Sequence, residues 1–205
     1  MNSVRVKLFV QSVLWLCSTT AIIVPSPRAV AAIGAQKNSD GVTLDLPAGA
    51  LRLQVWSARI IRVTRAAGTK LPAEKSFSVI GKPAKTKWTL TETPDAFILK
   101  TKSLAAQINR QTGAVGFYDL NGDSLLQEIA DGKTESRQSF VLAPDEDIYG
   151  LGQHQNGVWN YRGTTVHLQQ MNMEVAVPVL ISSKGYGVLW DNPAITDVDV
   201  GKTDP

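Results

Sequence analysis

Cysteine is almost missing from this chain of 205 residues, since the single thiol, Cys17, lies in an apolar N-terminal segment. One thiol allows no internal disulfide, so the fold must be stabilised by buried apolar side chains. Histidine is nearly as rare, and the spacing of His154 and His167 matches no zinc motif. No glycine loop is followed by a phosphate-binding lysine, and no serine lies in a nucleophile elbow. We therefore expect no metal, no cofactor and no nucleophilic triad.

The first residues have the composition of a secretory signal peptide. Arg5 and Lys7 precede an apolar run over residues 8–24, and the small residues Ala29 and Ala31 follow it. A membrane anchor is the weaker alternative, because polar residues such as Gln11 interrupt the run. We expect residues 1–32 to be removed, residues 36–40 to form a polar linker, and the product to be periplasmic or extracellular, with no membrane partner after cleavage.

Removal of that leader also changes the charge of the protein. Arg5, Lys7 and Arg28 are three of the 21 basic residues, and the leader holds none of the 18 acidic ones, so the balance becomes 18 against 18. A neutral domain has no electrostatic attraction for a phosphate backbone. We expect no nucleic-acid partner.

Period-two alternation dominates the rest of the chain, and no window predicts an amphipathic helix. The pattern predicts strands over residues 42–46, 51–56, 60–65, 77–80, 88–92, 97–101, 104–109, 115–119, 125–129, 139–142, 165–169, 179–183 and 186–190. Turn residues separate them at Thr112-Gly113, Asn121-Gly122, Asp131-Gly132 and Lys184-Gly185. Many short strands joined by tight turns predict one all-β domain, an antiparallel β-sandwich, over residues 33–205.

Residues 153–172 concentrate carboxamides and aromatic rings more than any earlier part of the chain. Carboxamides carry a donor and an acceptor together and suit vicinal hydroxyls, and aromatic faces can cover the C–H face of a sugar ring. This composition predicts contact with a carbohydrate. The alternative is that the amides only satisfy backbone groups within a long connection.

Two motifs on either side of this segment resemble the N-terminal domain of glycoside hydrolase family 31, the family of α-glucosidases and α-xylosidases. The motifs are residues 145–154 (DEDIYGLGQH) and 178–192 (PVLISSKGYGVLWDN), and residues 51–64 (LRLQVWSARIIRVT) resemble the opening strands of that domain. The resemblance implies a galactose-mutarotase-like supersandwich. Independently of it, we expect Gly150, Gly152, Gly185 and Gly187 to serve packing and turns.

The resemblance also implies which residues contact sugar. In the family a loop of this sandwich borders the sugar pocket, and Gln170 and Asn172 match it by position, with Trp159 and His154 as supports. Gln153 departs from the glutamate that many members carry, and the amide-rich version is similar to bacterial α-xylosidase-like members. The implied ligand is an oligosaccharide or α-glycoside.

The family's catalytic residues are implied to lie elsewhere. Its retaining chemistry uses two aspartates of a downstream (β/α)8 barrel, and no barrel is present in this chain, whose sandwich we expect to be incomplete at its C-terminal end. Asp191, Asp197 and Asp199 are not expected to be catalytic. We therefore expect an accessory carbohydrate-binding domain, inactive alone, that exposes an apolar face when separated from the barrel and so associates with itself.

The sequence is also compatible with two other functions. A secreted sandwich with exposed rings could be a stand-alone carbohydrate-binding module. It could also be a mutarotase, for which His154, His167 and Glu174 are the only plausible acid and base groups.

Overall fold

The computed structural model describes residues 2–8, 34–72, 76–130 and 137–203, and these ranges contain strands and turns only. The strands are β1 (Asn2–Leu8), β2 (Gly34–Asn38), β3 (Gly41–Leu46), β4 (Gly49–Ser57), β5 (Ile60–Ala66), β6 (Thr89–Glu92), β7 (Ala96–Lys100), β8 (Ala105–Asn109), β9 (Val115–Tyr118), β10 (Ser124–Gln127), β11 (Arg137–Leu142), β12 (Ile148–Gln153), β13 (Thr165–Leu168), β14 (Val175–Ser182), β15 (Gly187–Leu189) and β16 (Thr196–Val200). Within the described ranges, no helix has the length and apolarity that crossing a membrane requires. All strand pairs are antiparallel, and the predicted all-β sandwich is confirmed.

The first hydrophobic core lies between two meander sheets, β2-β3-β4-β5 and β10-β9-β8-β7-β6. Strand β4 alternates as predicted, with Leu51, Leu53 and Val55 buried against Phe97 and Ile108 of the facing sheet. Burying one such side chain contributes about 1.5–3 kcal/mol. Packing of two sheets therefore stabilises this half of the protein without any disulfide.

The second core lies between the sheets β11-β1-β16-β13 and β12-β14-β15. Ile148 and Leu151 of β12, Leu180 of β14 and Val198 of β16 are buried together in it. Phe117 of β9 packs against both cores, so the two halves of the molecule are in contact.

Polar contacts also join the two halves. Arg62 of β5 donates to the Asp191 carboxylate at 2.7 Å, and the Ser76 hydroxyl donates to the other carboxylate oxygen of Asp191 at 2.7 Å. Glu128, which follows β10 and pairs with Arg65 of β5, also accepts a hydrogen bond from the Gln138 side chain of β11 at 3.3 Å. Asp191, which was not expected to be catalytic, therefore anchors the loop after β15 to the sheet β2-β3-β4-β5.

The hairpin predictions are confirmed where the structure describes them. Gly113, Gly122 and Gly185 have φ values of 71°, 95° and 85°, which lie in the region that glycine adopts without strain. The Asp131-Gly132 turn lies outside the described residues. Every predicted strand overlaps an observed one except residues 77–80.

The prediction of a strand over residues 77–80 is wrong. The Ser76 hydroxyl oxygen accepts hydrogen bonds from the backbone N–H groups of Ser78 and Val79, at 3.2 and 2.7 Å, so this segment forms a turn. Phe77 and Ile80 are 88% and 96% exposed. The linker predicted over residues 36–40 is likewise corrected, because residues 34–38 form β2, whose polar side chains mark an exposed edge strand.

Strand β1 lies within the predicted leader. It pairs with β11 on one side and with β16 on the other. The rest of the leader and its cleavage site lie outside the described residues, and its removal stays a prediction.

Candidate functional site

A bulge in β12 organises the segment that the sequence singled out. Gly150, Leu151 and Gly152 all have positive φ values, of 95°, 62° and 103°, and the pairing with β14 shifts register between the two glycines. A Cβ atom at Gly152 would collide with the carbonyl oxygen of Val175, and one at Gly150 would lie 2.5 Å from that of Val179. The bulge turns the Leu151 side chain fully into the second core. The predicted packing role of Gly150 and Gly152 is thus explained by the close approach of β14.

The side chain of His154 contacts the backbone of this bulge. Its side chain is only 5% exposed, and its Nε2 lies 3.0 Å from the carbonyl oxygen of Leu151, so Nε2 carries the proton and donates. Its Nδ1 lies 3.5 Å from a carboxylate oxygen of Glu174, and its ring packs edge-on against Tyr161. These contacts give His154 a structural task, to satisfy the carbonyl that the bulge leaves without a strand partner.

The groups proposed for mutarotation are only partly brought together. His154 and Glu174 are neighbours, but His154 is enclosed and its Nε2 is committed to the backbone. His167 is bound instead to Asp197, 2.6 Å away on β16. An acid and a base must converge on one accessible sugar ring, and the described contacts of these three residues do not favour that arrangement.

The two motifs that carry the family resemblance contact each other through Glu146. This buried carboxylate accepts hydrogen bonds from the Ser182 hydroxyl, from the Tyr186 hydroxyl at 2.6 Å and from the backbone N–H of Ala143 at 3.0 Å. Burial and then the bond to Glu146 raise the pKa of Tyr186 far above its ordinary value of 10.0. Sequence reasoning missed this network, although the fixed order of the two motifs was a signal that they belong together.

Asn160 shows that part of the amide enrichment is structural. Its side-chain oxygen accepts from the backbone N–H groups of Ile148 and Arg162, each at 3.1 Å, and its nitrogen donates to Asp147 at 2.5 Å. For Asn160 the alternative reading of the amides, that they satisfy backbone groups, is therefore correct.

Gln170 and Asn172, the first choices for sugar contact, lie at the loop between β13 and β14. The Gln170 amide donates to the carbonyl oxygen of Glu174 at 2.9 Å and accepts from the backbone N–H of Ala176 at 3.2 Å, which closes the loop. Asn172 is exposed at the tip, between Met171 and Met173, which are also exposed. The Gln170 side chain thus stabilises the loop, and Asn172 lies exposed at the tip of the loop.

Gln170 also borders a cleft of about 200 Å³ between this loop and the segment after β15. Gln169 and Asn192 line the same cleft, and Pro178 and Pro193 contribute apolar surface. The cleft brings three carboxamides together from segments distant in sequence. Asn192 was not among the predicted site residues, because its closeness to the loop depends on the fold.

Trp159 lies on a different surface, which we call the outer face. Its ring is 82% exposed, with its centroid 6.2 Å from that of Tyr149 on β12. Tyr149 pairs with Ile181 of β14, and Val179 pairs with Leu189 of β15. The outer face comprises Tyr149, Trp159, Val175, Val177, Val179, Ile181 and Leu189, of which the last five alternate with buried or partly buried neighbours. It is a continuous apolar surface beside the loop that carries Asn172.

His167 and Asp197 form an exposed pair across β13 and β16, bordering a wider depression of about 460 Å³. The hydrogen bond that the His167 ring donates to Asp197, with a smaller contribution from Gln169, raises the pKa of His167 above its ordinary 6.5. A raised pKa means that the folded state favours the protonated ring. The contribution of the His167–Asp197 pair to the free energy of unfolding is therefore fully present below about pH 6.5 and is lost as the pH rises through the raised pKa.

We expect His167→Asn to lower the free energy of unfolding by about 0.5 kcal/mol at acidic pH and by less at alkaline pH, since exposed pairs are screened. Urea unfolding followed by tryptophan fluorescence at a pH of about 5.5 and of about 8.5 measures this. Asp197→Asn is the matched control and should give the same pH dependence. An equal loss at both pH values would contradict this assignment of the pair.

No group of three metal-ligating side chains occurs within the ranges that the structure describes. The cleft and the outer face contain three neutral carboxamides together with aromatic and aliphatic side chains, and two exposed methionines lie at the tip of the β13–β14 loop. Such surfaces bind by hydrogen bonding to hydroxyls and by apolar contact.

Comparisons with known proteins identify a family profile and several similar enzymes. The sequence profile described as the glycosyl hydrolase 31 N-terminal galactose mutarotase-like domain matches residues 50–199. An α-xylosidase of Saccharolobus solfataricus is 29% identical over 126 residues, which cover 52% of this chain and 17% of that enzyme.

Solved structures agree with the sequence comparison. The family 31 α-xylosidase from Xanthomonas citri is 37% identical with a TM-score of 0.65, over 78% of this chain and 19% of that one. A family 31 α-xylosidase from a soil metagenome, complexed with xylose, is 27% identical with a TM-score of 0.71, over 82% of this chain and 29% of that one. The chain thus spans less than a third of the length of each of these three enzymes.

Proposed function

Because the chain belongs to the glycosyl hydrolase 31 N-terminal galactose mutarotase-like domain family, we propose that it is the accessory sugar-binding domain of an exported α-glycosidase of the α-xylosidase type. In this proposal the domain packs on a catalytic (β/α)8 barrel and forms one wall of the pocket that receives an α-glycoside. The carboxylates that cleave the glycosidic bond belong to the barrel. The domain alone is inactive.

The outer face is the observation that carries the proposal. Val175, Val177 and Ile181 point away from the second core and are exposed, as are Leu189 and Trp159. A domain that worked alone in water would gain nothing from a contiguous apolar surface of this kind, which is typical of a surface that another domain covers. The partner that fits it is the rest of a family 31 enzyme.

The loop that carries Asn172 supplies the sugar contact. Gln170 fixes the loop through its bonds to Glu174 and Ala176, so the tip is held beside the outer face and is not free to collapse onto the sheet. No hydrogen bond within the described residues uses the Asn172 side chain. Its donor and acceptor are available for a pair of sugar hydroxyls.

Trp159 favours a second candidate function, that of a stand-alone carbohydrate-binding module. An indole ring that is 82% exposed can stack on a sugar without help from another domain. The two candidates differ in what the chain does by itself, because a module binds sugar alone and an accessory wall does not bind it tightly.

The test uses the purified 205-residue chain. We expect no turnover of aryl α-xyloside or aryl α-glucoside, and no calorimetric heat with xyloglucan oligosaccharides in the range of dissociation constants of about 1 mM or tighter. Binding in that range that is lost in Trp159→Ala would favour the stand-alone module.

Three isosteric variants serve as controls for the assay: Asp191→Asn, Asp197→Asn and Asp199→Asn. Each keeps the volume of the side chain but replaces one acceptor oxygen with an NH2 donor, so tryptophan fluorescence is used to verify that each variant is folded before its activity is compared. Turnover by the parent chain that any of them abolishes would overturn the proposal, because it would place the catalytic carboxylate in this domain.

A further inference from the structure

Phe77 and Ile80 are the most exposed large apolar side chains among the described residues, at 88% and 96%. They lie in the turn whose backbone is capped by the Ser76 hydroxyl, and that hydroxyl itself donates to Asp191 at 2.7 Å. Single exposed apolar residues are ordinary, but two within one anchored turn form an apolar patch that remains in solvent.

Three backbone segments meet beside this turn, at one end of the two sheets that enclose the first core. The backbone N–H of Ala84 donates to the carbonyl oxygen of Trp56 at 2.9 Å, which joins the segment after the turn to the end of β4. The Thr101 hydroxyl donates to the carbonyl oxygen of Ala58 at 2.6 Å, which joins the β7–β8 turn to the β4–β5 turn. Residues 57–60, 81–88 and 100–104 are therefore neighbours in space.

These three segments carry positive charge and contain no aspartate or glutamate. Their cations are all exposed, and within the described residues none of them forms an ion pair with a carboxylate: Arg59, Lys82, Lys85, Lys87, Lys100 and Lys102. Ile60, which is 59% exposed, lies among them. We call these six cations, together with Ile60, Phe77 and Ile80, the basic end.

The charge of the whole domain is divided in the same sense. Residues 33–130 hold 13 basic and 8 acidic side chains, a net charge of +5, and residues 131–205 hold 5 basic and 10 acidic ones, a net charge of −5. A domain that is neutral in total can therefore be attracted to an anionic surface through its first half.

Protection of a sheet edge does not account for the basic end. Lysines beside an edge strand often block pairing with another chain, and β6 is the edge of its sheet. However, Lys82, Lys85 and Lys87 precede β6 and do not lie on it. Edge protection also gives no role to Phe77 and Ile80.

We propose that the basic end binds an anionic lipid surface, with Phe77 and Ile80 inserted at the boundary between the headgroups and the acyl chains. Acidic headgroups attract lysine and arginine near the surface, and apolar side chains add affinity when they leave water. The apolar pair favours a lipid over an acidic polysaccharide, because the aliphatic Ile80 offers no ring to stack on a sugar.

This peripheral binding differs from a spanning anchor, because no segment crosses the bilayer. It would replace the expectation that the cleaved domain has no membrane partner. The basic end shares no residue with the outer face or with the loop that carries Asn172. The inference can therefore fail independently of the proposed function.

The test places a polarity-sensitive dye at the basic end of the full chain. Cys17→Ser removes the only native thiol, and Ile80→Cys supplies a new one for labelling. Vesicles that contain about 30% phosphatidylglycerol should shift the emission of the dye to the blue, whereas phosphatidylcholine vesicles should not. A dye at Gln111→Cys, in the β8–β9 turn at the opposite end of the same sheet, should respond to neither.

Removal of charge from the basic end should weaken the response. Each cation near an anionic surface contributes about fivefold in affinity, so Lys82→Gln with Lys85→Gln and Lys87→Gln should raise the lipid concentration at half of the shift by at least about tenfold. The apolar leader is common to all variants, so differences between them report on the basic end. The matched control removes three exposed lysines that lie elsewhere and should change that concentration by less than about twofold: Lys70→Gln, Lys184→Gln and Lys202→Gln.

Several results would overturn lipid binding. These are no blue shift with the anionic vesicles, an equal shift with the neutral ones, and an equal effect of the two triple variants. An equal shift with soluble polygalacturonate would assign the basic end to an acidic polysaccharide instead. A shift that grows with protein concentration in the absence of lipid would assign it to a second copy of the chain. The unfolding midpoint of each variant, measured by tryptophan fluorescence, should match that of the parent, because the substituted side chains are exposed.

Discussion

Gly152→Ala is expected to lower the free energy of unfolding by about 3–5 kcal/mol, which is a large share of the roughly 5–15 kcal/mol that keeps a typical domain folded. The φ of Gly152 is 103°, and a Cβ atom there would collide with the backbone carbonyl of Val175. Backbone strain and steric overlap therefore add. Because the collision is with backbone, it can be relieved only by separating β12 from β14, which would also pull the Leu151 side chain out of the second core.

Gly163→Ala is the matched control for this substitution. Gly163 also has a positive φ, of 76°, but nothing lies within 4 Å of a Cβ atom placed there. It should cost about 1 kcal/mol, the strain contribution alone. Urea unfolding followed by tryptophan fluorescence compares the two variants, and equal losses would show that β14 does not approach the bulge as closely as described.

Ile181→Glu is expected to weaken self-association of the isolated chain by at least about tenfold in the dissociation constant. Ile181 lies in the middle of the outer face, opposite Tyr149. If two copies bury this surface against each other, a carboxylate there must be desolvated in an apolar contact without a partner, which opposes association. Light scattering across a concentration series and the fluorescence of an apolar-surface dye measure the change.

Thr89→Glu provides the control, since it adds the same charge at an exposed position of β6, in a different sheet. It should leave association and dye binding unchanged. A parent chain that is monomeric at all concentrations and binds no dye would contradict the assignment of the outer face as a docking surface. It would also remove the main support for the accessory role.

Local sequence chemistry predicted the hairpins well, because a tight turn is determined by the few residues within it. Asn121-Gly122 is an example: Gly122 adopts the positive φ, and the Asp119 side chain accepts from the backbone N–H of Asn121 at 2.8 Å. Residues 77–80 show where alternation fails. A strand exists only if another strand pairs with it, and here the Ser76 hydroxyl satisfies the backbone instead.

Composition alone predicts a region for the candidate site and not the role of each residue in it. The enrichment of amides singles out residues 153–172, but which amide reaches a backbone group depends on the neighbours that folding supplies. Gln170 and Asn160 are used internally, whereas Asn172 is free at a loop tip. The role of His154 depends on the bulge, because the bulge directs the Leu151 carbonyl towards the imidazole ring and away from any strand partner.

The two cores differ in the order in which a ribosome supplies their parts. In the first core, strands β2 to β5 and β6 to β10 pair with their neighbours in sequence, so each sheet can form while the later chain is still being made. In the second core, β13 pairs with β16 and β1 pairs with β11 and β16, so the four-stranded sheet of this core cannot be complete until β16 has been made. Non-local pairing of this kind is slow. The first core can therefore acquire structure during synthesis before the core beside the candidate site is complete.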